Sequence, residues 1–170
     1  MERVAKFYKV SFQQYKEAYI DTYGEVSDET IKKVYDEIKL PKRATSGSAG
    51  YDFFAPMDFQ LQPSETAKIP TGIRAKIQEG WVLEIFPRSG LGFKFRLQLN
   101  NTVGIIDSDY FNSDNEGHIF IKITNDTNEG KTVRVDSGKG FAQGIFMPFG
   151  ITEDDNVDEI RNGGFGSTTK

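Results

Sequence analysis

The sequence has no cysteine. That excludes disulfides and thiolate metal sites, and it fits a reducing, intracellular setting. Histidine occurs once, as His118, so a zinc centre built from several imidazoles is excluded too. No apolar run approaches the ~20 residues that a membrane-spanning helix requires, and the opening Met1-Glu2-Arg3-Val4 lacks the apolar core of a signal peptide. The expectation is a cytoplasmic protein with no membrane partner. A surplus of positive charge is missing as well: the net charge is −4, which argues against direct binding to nucleic acid. A nucleotide could still be held by a small local cluster of Arg, Ser and backbone amides.

What is present describes one globular domain. The 170 residues leave no room for a second full core, and 37% hydrophobic with 27% charged residues is ordinary for a folded chain. Residues 1–11 alternate like a strand. Residues of the segment 12–40 switch to a helical period: Phe12, Tyr15 and Tyr19, then Ile31, Val34, Tyr35 and Ile38. Ser27 is the expected N-cap of the second helix, with Asp28 and Glu29 in its first turn, Gly24 separating the two helices and Pro41 ending the pair. From residue 41 to about 150 short apolar runs alternate with turn residues, as in 73–77, 81–86, 119–123, 132–135 and 145–147. This predicts an all-β antiparallel sandwich or barrel.

Four stretches carry candidate chemistry. Pro87-Arg88-Ser89-Gly90-Leu91-Gly92 places a guanidinium, a hydroxyl and two glycines at a strand end. That suits a phosphate cradle, although a plain turn with a surface Arg is the simpler alternative. Asn100 through Asp107 reads as a glycine-containing hairpin ending in a carboxylate. Such a group could act as general base toward water, or merely open the next loop. Gln143 lies in an apolar run and would need hydrogen-bond partners, structural or from a ligand. The tail Asn162 to Lys170 is rich in glycine and hydroxyls but lacks the order Gly-Lys-Ser/Thr of a Walker A loop. It reads as an arm bearing one ring, Phe165.

In order, these stretches resemble the motifs of the trimeric deoxyuridine triphosphatases: Ser48-Ala49-Gly50-Tyr51-Asp52, Pro87-Arg88-Ser89-Gly90-Leu91, Asn101 to Gly104 with Ile105-Ile106-Asp107-Ser108-Asp109-Tyr110, Phe141-Ala142-Gln143, and Gly163-Gly164-Phe165-Gly166-Ser167-Thr168. The resemblance covers most of 41–170. It implies a jelly-roll-like antiparallel β-barrel over 1–155, with an inserted short helical pair at about 12–40, and a flexible arm at 156–170. It implies a homotrimer with shared active sites that hydrolyses dUTP to dUMP and pyrophosphate with Mg²⁺ on the triphosphate. Such an activity limits uracil in DNA and supplies dUMP for dTMP synthesis. By the same likeness Asp107 would activate water. Arg88, Ser89, Gly90, Gln143, Arg161, Ser167 and Thr168 would serve phosphates. Asn101, Gly104, Ile106, Tyr110 and Phe165 would hold base and sugar, and Asp52 would meet the metal indirectly, through water. The alternatives are a dCTP deaminase or bifunctional relative on the same fold, and a barrel of this type that binds a regulatory protein.

The chain departs from the family pattern in several places. The helical segment 12–40 is expected as a surface embellishment, or else as a partner-binding device. Phe111 to Glu116 expands the loop after Tyr110, which is expected to be polar and solvated and to offer a second possible partner surface. Gly140 stands where Arg is common, only Asn162 separates Arg161 from Gly163, and Thr169 replaces a usual glycine. His118 is expected in the following strand, with no catalytic role.

Overall fold

The computed structural model describes residues 1–159 and Arg161. In chain order the elements are β1 (Ala5–Lys9), α1 (Phe12–Tyr23), α2 (Asp28–Glu37), β2 (Lys42–Arg43), β3 (Tyr51–Phe54), β4 (Phe59–Leu61), β5 (Thr66–Pro70), β6 (Ile73–Ile77), β7 (Trp81–Pro87), α3 (Ser89–Phe95), β8 (Leu97–Leu99), β9 (Gly104–Ile106), a 3₁₀ turn (Ser108–Asn112), β10 (Phe120–Asn125), β11 (Val133–Val135) and β12 (Gly140–Pro148). The strand pairs are antiparallel, as expected for short strands joined by turns and not by crossover helices. A five-stranded sheet ordered β2-β3-β12-β7-β9, a three-stranded sheet β5-β10-β8 and the pairs β1-β6 and β11-β4 make up the expected jelly-roll-like barrel. Among the described residues no helix is long and apolar enough to cross a membrane.

Alternation along the strands decides which residues fill the barrel. In β10, Ile121, Ile123 and Asn125 point inward while Lys122 points to solvent. Leu83 and Ile85 of β7 face the core beside Phe53 of β3 and Phe141 of β12. Full burial of each such side chain contributes about 1.5–3 kcal/mol. The buried polar Asn125 is satisfied: its amide nitrogen donates to Leu61 O at 2.9 Å and to Lys131 O at 2.8 Å.

The helical pair forms where expected. Ser27 caps α2 by accepting from the Thr30 amide, and Gly24, at φ +88°, closes α1 in a conformation that other residues rarely adopt. It is not a surface embellishment, however. Tyr15 and Ile31 are wholly buried and join the barrel residues in one hydrophobic core. The Tyr35 hydroxyl donates to Val10 O at 2.7 Å, and the Lys9 ammonium donates to Tyr35 O. The apolar stripes of α1 and α2 cover a flank of the barrel that would otherwise face water.

Three local expectations change. The segment 100–103 is not a paired hairpin: β8 bonds to β10 and β9 bonds to β7, so the chain turns a corner there from one sheet to the other. The Ser-Gly-Leu-Gly stretch after Arg88 forms the short helix α3, which the two glycines concealed. The loop 111–116 is not simply solvated. Ser113 is buried, Phe111 lies under the Arg74 guanidinium at 3.7 Å, and Glu116 holds the N-terminus of α1.

Candidate active site

Two cavities gather eight of the candidate residues, leaving Asp107, Tyr110 and Arg161 outside both, and they share no lining residue. The first, about 500 Å³, is bounded by Ser48, Gly50 and Asp52, by Arg88, Ser89 and Gly90 where β7 enters α3, and by Gly140 and Gln143 of β12. Antiparallel pairing sets Gln143 opposite both Asp52 and Phe86, so three separate stretches of sequence meet across one sheet. Arg88 Nε lies 3.1 Å from Asp52 Oδ1. The Gln143 amide donates to Pro87 O at 3.0 Å, and its carbonyl oxygen lies so near Gly50 that a Cβ there would stand 2.6 Å away. A side chain at Gly50 would have to push the Gln143 amide aside. At Gly140 a Cβ would stand 3.1–3.3 Å from Arg88 and Asp52, so the glycine in place of the family's Arg leaves room for that ion pair. The first amides of α3 have no carbonyl ahead of them in the helix, and with Arg88 and the Ser89 hydroxyl they suit a phosphate oxygen.

The second cavity, about 380 Å³, lies behind the corner between β8 and β9. Asn101, Gly104 and Ile106 line it together with Leu99, Asn115 and Phe120. Gly104 pairs with Ile85 so closely that an added Cβ would meet the Ile85 Cβ at 3.1 Å. Chain exposed as backbone in an apolar recess presents a fixed pattern of donors and acceptors to a flat ring.

One residue past this wall the chain leaves β9 at Asp107 and enters the 3₁₀ turn that carries Asp109 and Tyr110. The Arg161 guanidinium bridges both acids, donating from Nη2 to Asp107 Oδ2 at 2.5 Å and from Nε to Asp109 Oδ1 at 2.9 Å. The sequence reading places Arg161 on a phosphate; here it sits against Asp107. Tyr110 is buried, donates to His118 O at 2.7 Å and accepts from the Asn115 amide at 2.8 Å. Burial pushes its phenol pKa up, and Asn115 and Arg161 partly oppose that shift.

Phe165, Ser167 and Thr168 lie outside the described residues. Arg134 and Lys139, which add positive charge to the first cavity, and Asn115 in the second were missed by the sequence reading. Alternation in β11 puts Arg134 outward between two buried valines and could have flagged it. Nothing local in the sequence marks Asn115. Among the described residues no three His, Cys, Asp or Glu side chains converge to cage a cation. One carboxylate beside a phosphate cradle, as at Asp52, does suit a magnesium ion that keeps most of its waters and rides on the substrate.

The dUTPase family profile matches residues 36–169, leaving β1 and most of the helical pair ahead of it. The chain is 46% identical over 134 residues to the deoxyuridine 5'-triphosphate nucleotidohydrolase of Lactococcus lactis subsp. lactis, spanning 77% of this chain and 88% of the relative. Among solved structures, the dUTPase of Streptococcus mutans is similar, with a TM-score of 0.60, 40% identity and coverage of 69% of this chain and 91% of that one. A mutant dUTPase from phage phi11 of S. aureus, described with a structural Mg(II) ion, matches with a TM-score of 0.59 and 26% identity, over 73% of this chain and 92% of its own. With four of the family's five motifs meeting at the two cavities and the acid cluster, and the family profile covering most of the sequence, the chain belongs to the dUTPase family.

Proposed function

We infer that the protein hydrolyses dUTP to dUMP and pyrophosphate, at sites completed between chains of a homotrimer. The observation that carries this reading is the position of Asp107, one residue beyond the base-sized recess and beside the buried Tyr110.

In this reading uracil enters the recess of Asn101, Gly104 and Ile106. A cytosine there would leave buried polar groups unmatched, which costs affinity out of proportion to its size. The Tyr110 ring bounds the sugar and leaves no space for a 2′-hydroxyl. Asp107 takes a proton from a water that its carboxylate holds once Arg161 has released Oδ2. The water oxygen bonds to the α-phosphorus, the bond to the bridging oxygen of the β-phosphate breaks, and pyrophosphate leaves. Arg88, Ser89, Gly90 and Gln143 hold the phosphates, with Ser167 and Thr168 of the arm closing over them and Phe165 stacking on the base. Arg161 would exchange its carboxylates for a phosphate as the arm closes. A magnesium ion on the triphosphate, met by Asp52 through water, would neutralise charge and fix one conformer for in-line attack.

Assembly is supported by two features. The recess and the phosphate cradle share no residue on one chain, yet each supplies what the other lacks. Exposed apolar side chains, including Phe93 at 98% and Phe149 at 52%, are available for contact with other copies. Residues 12–40 and 111–116 are engaged with the core and with each other, so no regulatory partner is assigned to them.

The test is pyrophosphate release from dUTP, UTP, dCTP and dTTP, with and without Mg²⁺. Only dUTP should turn over efficiently, and Asp107→Asn should lower kcat about 10²–10⁴-fold with KM nearly unchanged. Turnover surviving in that variant removes Asp107 from the chemistry.

A further inference from the structure

The two segments by which this chain departs from its family's pattern touch each other, and the contact leads to Tyr110. Glu116 ends the loop expansion, and its carboxylate accepts from the Ser11 amide at 2.7 Å and from the Ser11 hydroxyl at 2.6 Å. Ser11 is the N-cap of α1, the first residue of the helical pair's own hydrogen-bond scheme. Arg74 adds a second tie: it donates to Phe111 O at 2.5 Å and lies 4.0 Å from the same carboxylate.

Within the loop, Asn115 is held at both ends of its amide. Its oxygen accepts from the Gly117 N–H at 3.2 Å, which turns its nitrogen toward the Tyr110 hydroxyl at 2.8 Å. Gly117, at φ +70°, lets the chain fold back so tightly that a Cβ would stand 2.7 Å from Tyr110 O. The hydroxyl therefore has two partners at fixed positions, Asn115 as donor and His118 O as acceptor. A ring anchored in this way at its far end cannot tilt without breaking one of them.

We propose that Asn115 is a positioning residue for the Tyr110 ring and that the Glu116–Ser11 clasp makes the helical pair part of the device that rejects ribonucleotides. This rests on the assignment of Tyr110 to the sugar of dUTP. The ring excludes a 2′-hydroxyl only while it is held close. A loop released from α1, or a phenol that has lost one partner, lets it retreat and admits UTP.

The experiment compares kcat/KM for dUTP and UTP in the full-length protein and in Asn115→Ala, Tyr110→Phe, the double variant and Glu116→Ala. The dUTP:UTP ratio should fall about three- to tenfold in Asn115→Ala, the size expected for one neutral hydrogen bond. It should fall in Tyr110→Phe as well, with no further loss in the double variant, because both changes break the same bond. Glu116→Ala acts on the half-buried end of the loop and keeps the test alive if Asn115→Ala does not fold. It should lower the ratio in the same direction. Additive losses in the double variant, or a ratio unmoved in Asn115→Ala or Glu116→Ala while melting temperature and both activities drop together, would overturn the proposal. If the unaltered protein releases no pyrophosphate from dUTP, the proposed function fails and this inference fails with it. Unchanged selectivity in active variants overturns this inference alone.

Discussion

His118 is wholly buried, beside Tyr15 of α1, and its Nε2 accepts the Gly72 N–H at 2.8 Å. With that nitrogen accepting, the proton is assigned to Nδ1, which has no hydrogen-bond partner among the described residues. Burial pushes the imidazole pKa down to about 3, with Glu116 opposing the shift and Lys68 adding to it. The sign follows directly. Below the unfolded value of about 6.5 the unfolded chain binds a proton that the folded chain refuses until about pH 3, so stability is complete above that window and falls as pH drops through it. The slope approaches about 1.4 kcal/mol per pH unit. Urea midpoints at fixed protein concentration should drop between pH 7 and 5, and His118→Gln, which keeps an acceptor for Gly72, should flatten that dependence. Such a role is hidden from sequence, because a lone histidine before a strand gives no sign of what it will be buried against. Gly50 is the opposite case. The motif order marks it as special, and its approach to Gln143 supplies the physical reason.

Among the elements, those with a clear period were legible. The stripe Ile31, Val34, Tyr35 and Ile38 predicts α2, and Ser27 starts it. The period reveals an apolar face but not its destination, which is the main core. Ile31→Ala, at a site of full burial, should therefore cost about 2–4 kcal/mol and lower the melting temperature by several degrees, as scanning calorimetry would read. A true surface embellishment would show almost no change. The β8–β9 connection was misread for a different reason. Turn residues between two apolar runs announce a reversal but do not say whether the flanking strands pair with each other or with others. The helix α3 was missed because Gly90 and Gly92 lower helix propensity, which tertiary packing of Leu91 and Phe95 against the core overrides.

For the whole molecule, family and fold were legible in the order of five motifs, and the same motifs supplied the candidate site residues. Whether a site is divided between copies was not legible, since spacing along a chain does not state which surface of which copy a motif faces. If each site takes Asp107 from one chain and Gln143 from another, complementation follows. Asp107→Asn and Gln143→Ala homotrimers should both be nearly inactive. Trimers assembled from an equal mixture should recover about a quarter of the sites, the chance that each required half comes from an intact chain. If one chain supplied both groups, mixing would restore nothing.

In the proposed reading, the corner between β8 and β9 separates scaffolding from recognition. Each strand is secured by a different neighbour, so a nick between Asn101 and Thr102 would cut no sheet pairing. It would only fray the rim of the candidate base recess. Selection can thus remodel nucleobase choice at this seam while the architecture on either side stays as it is.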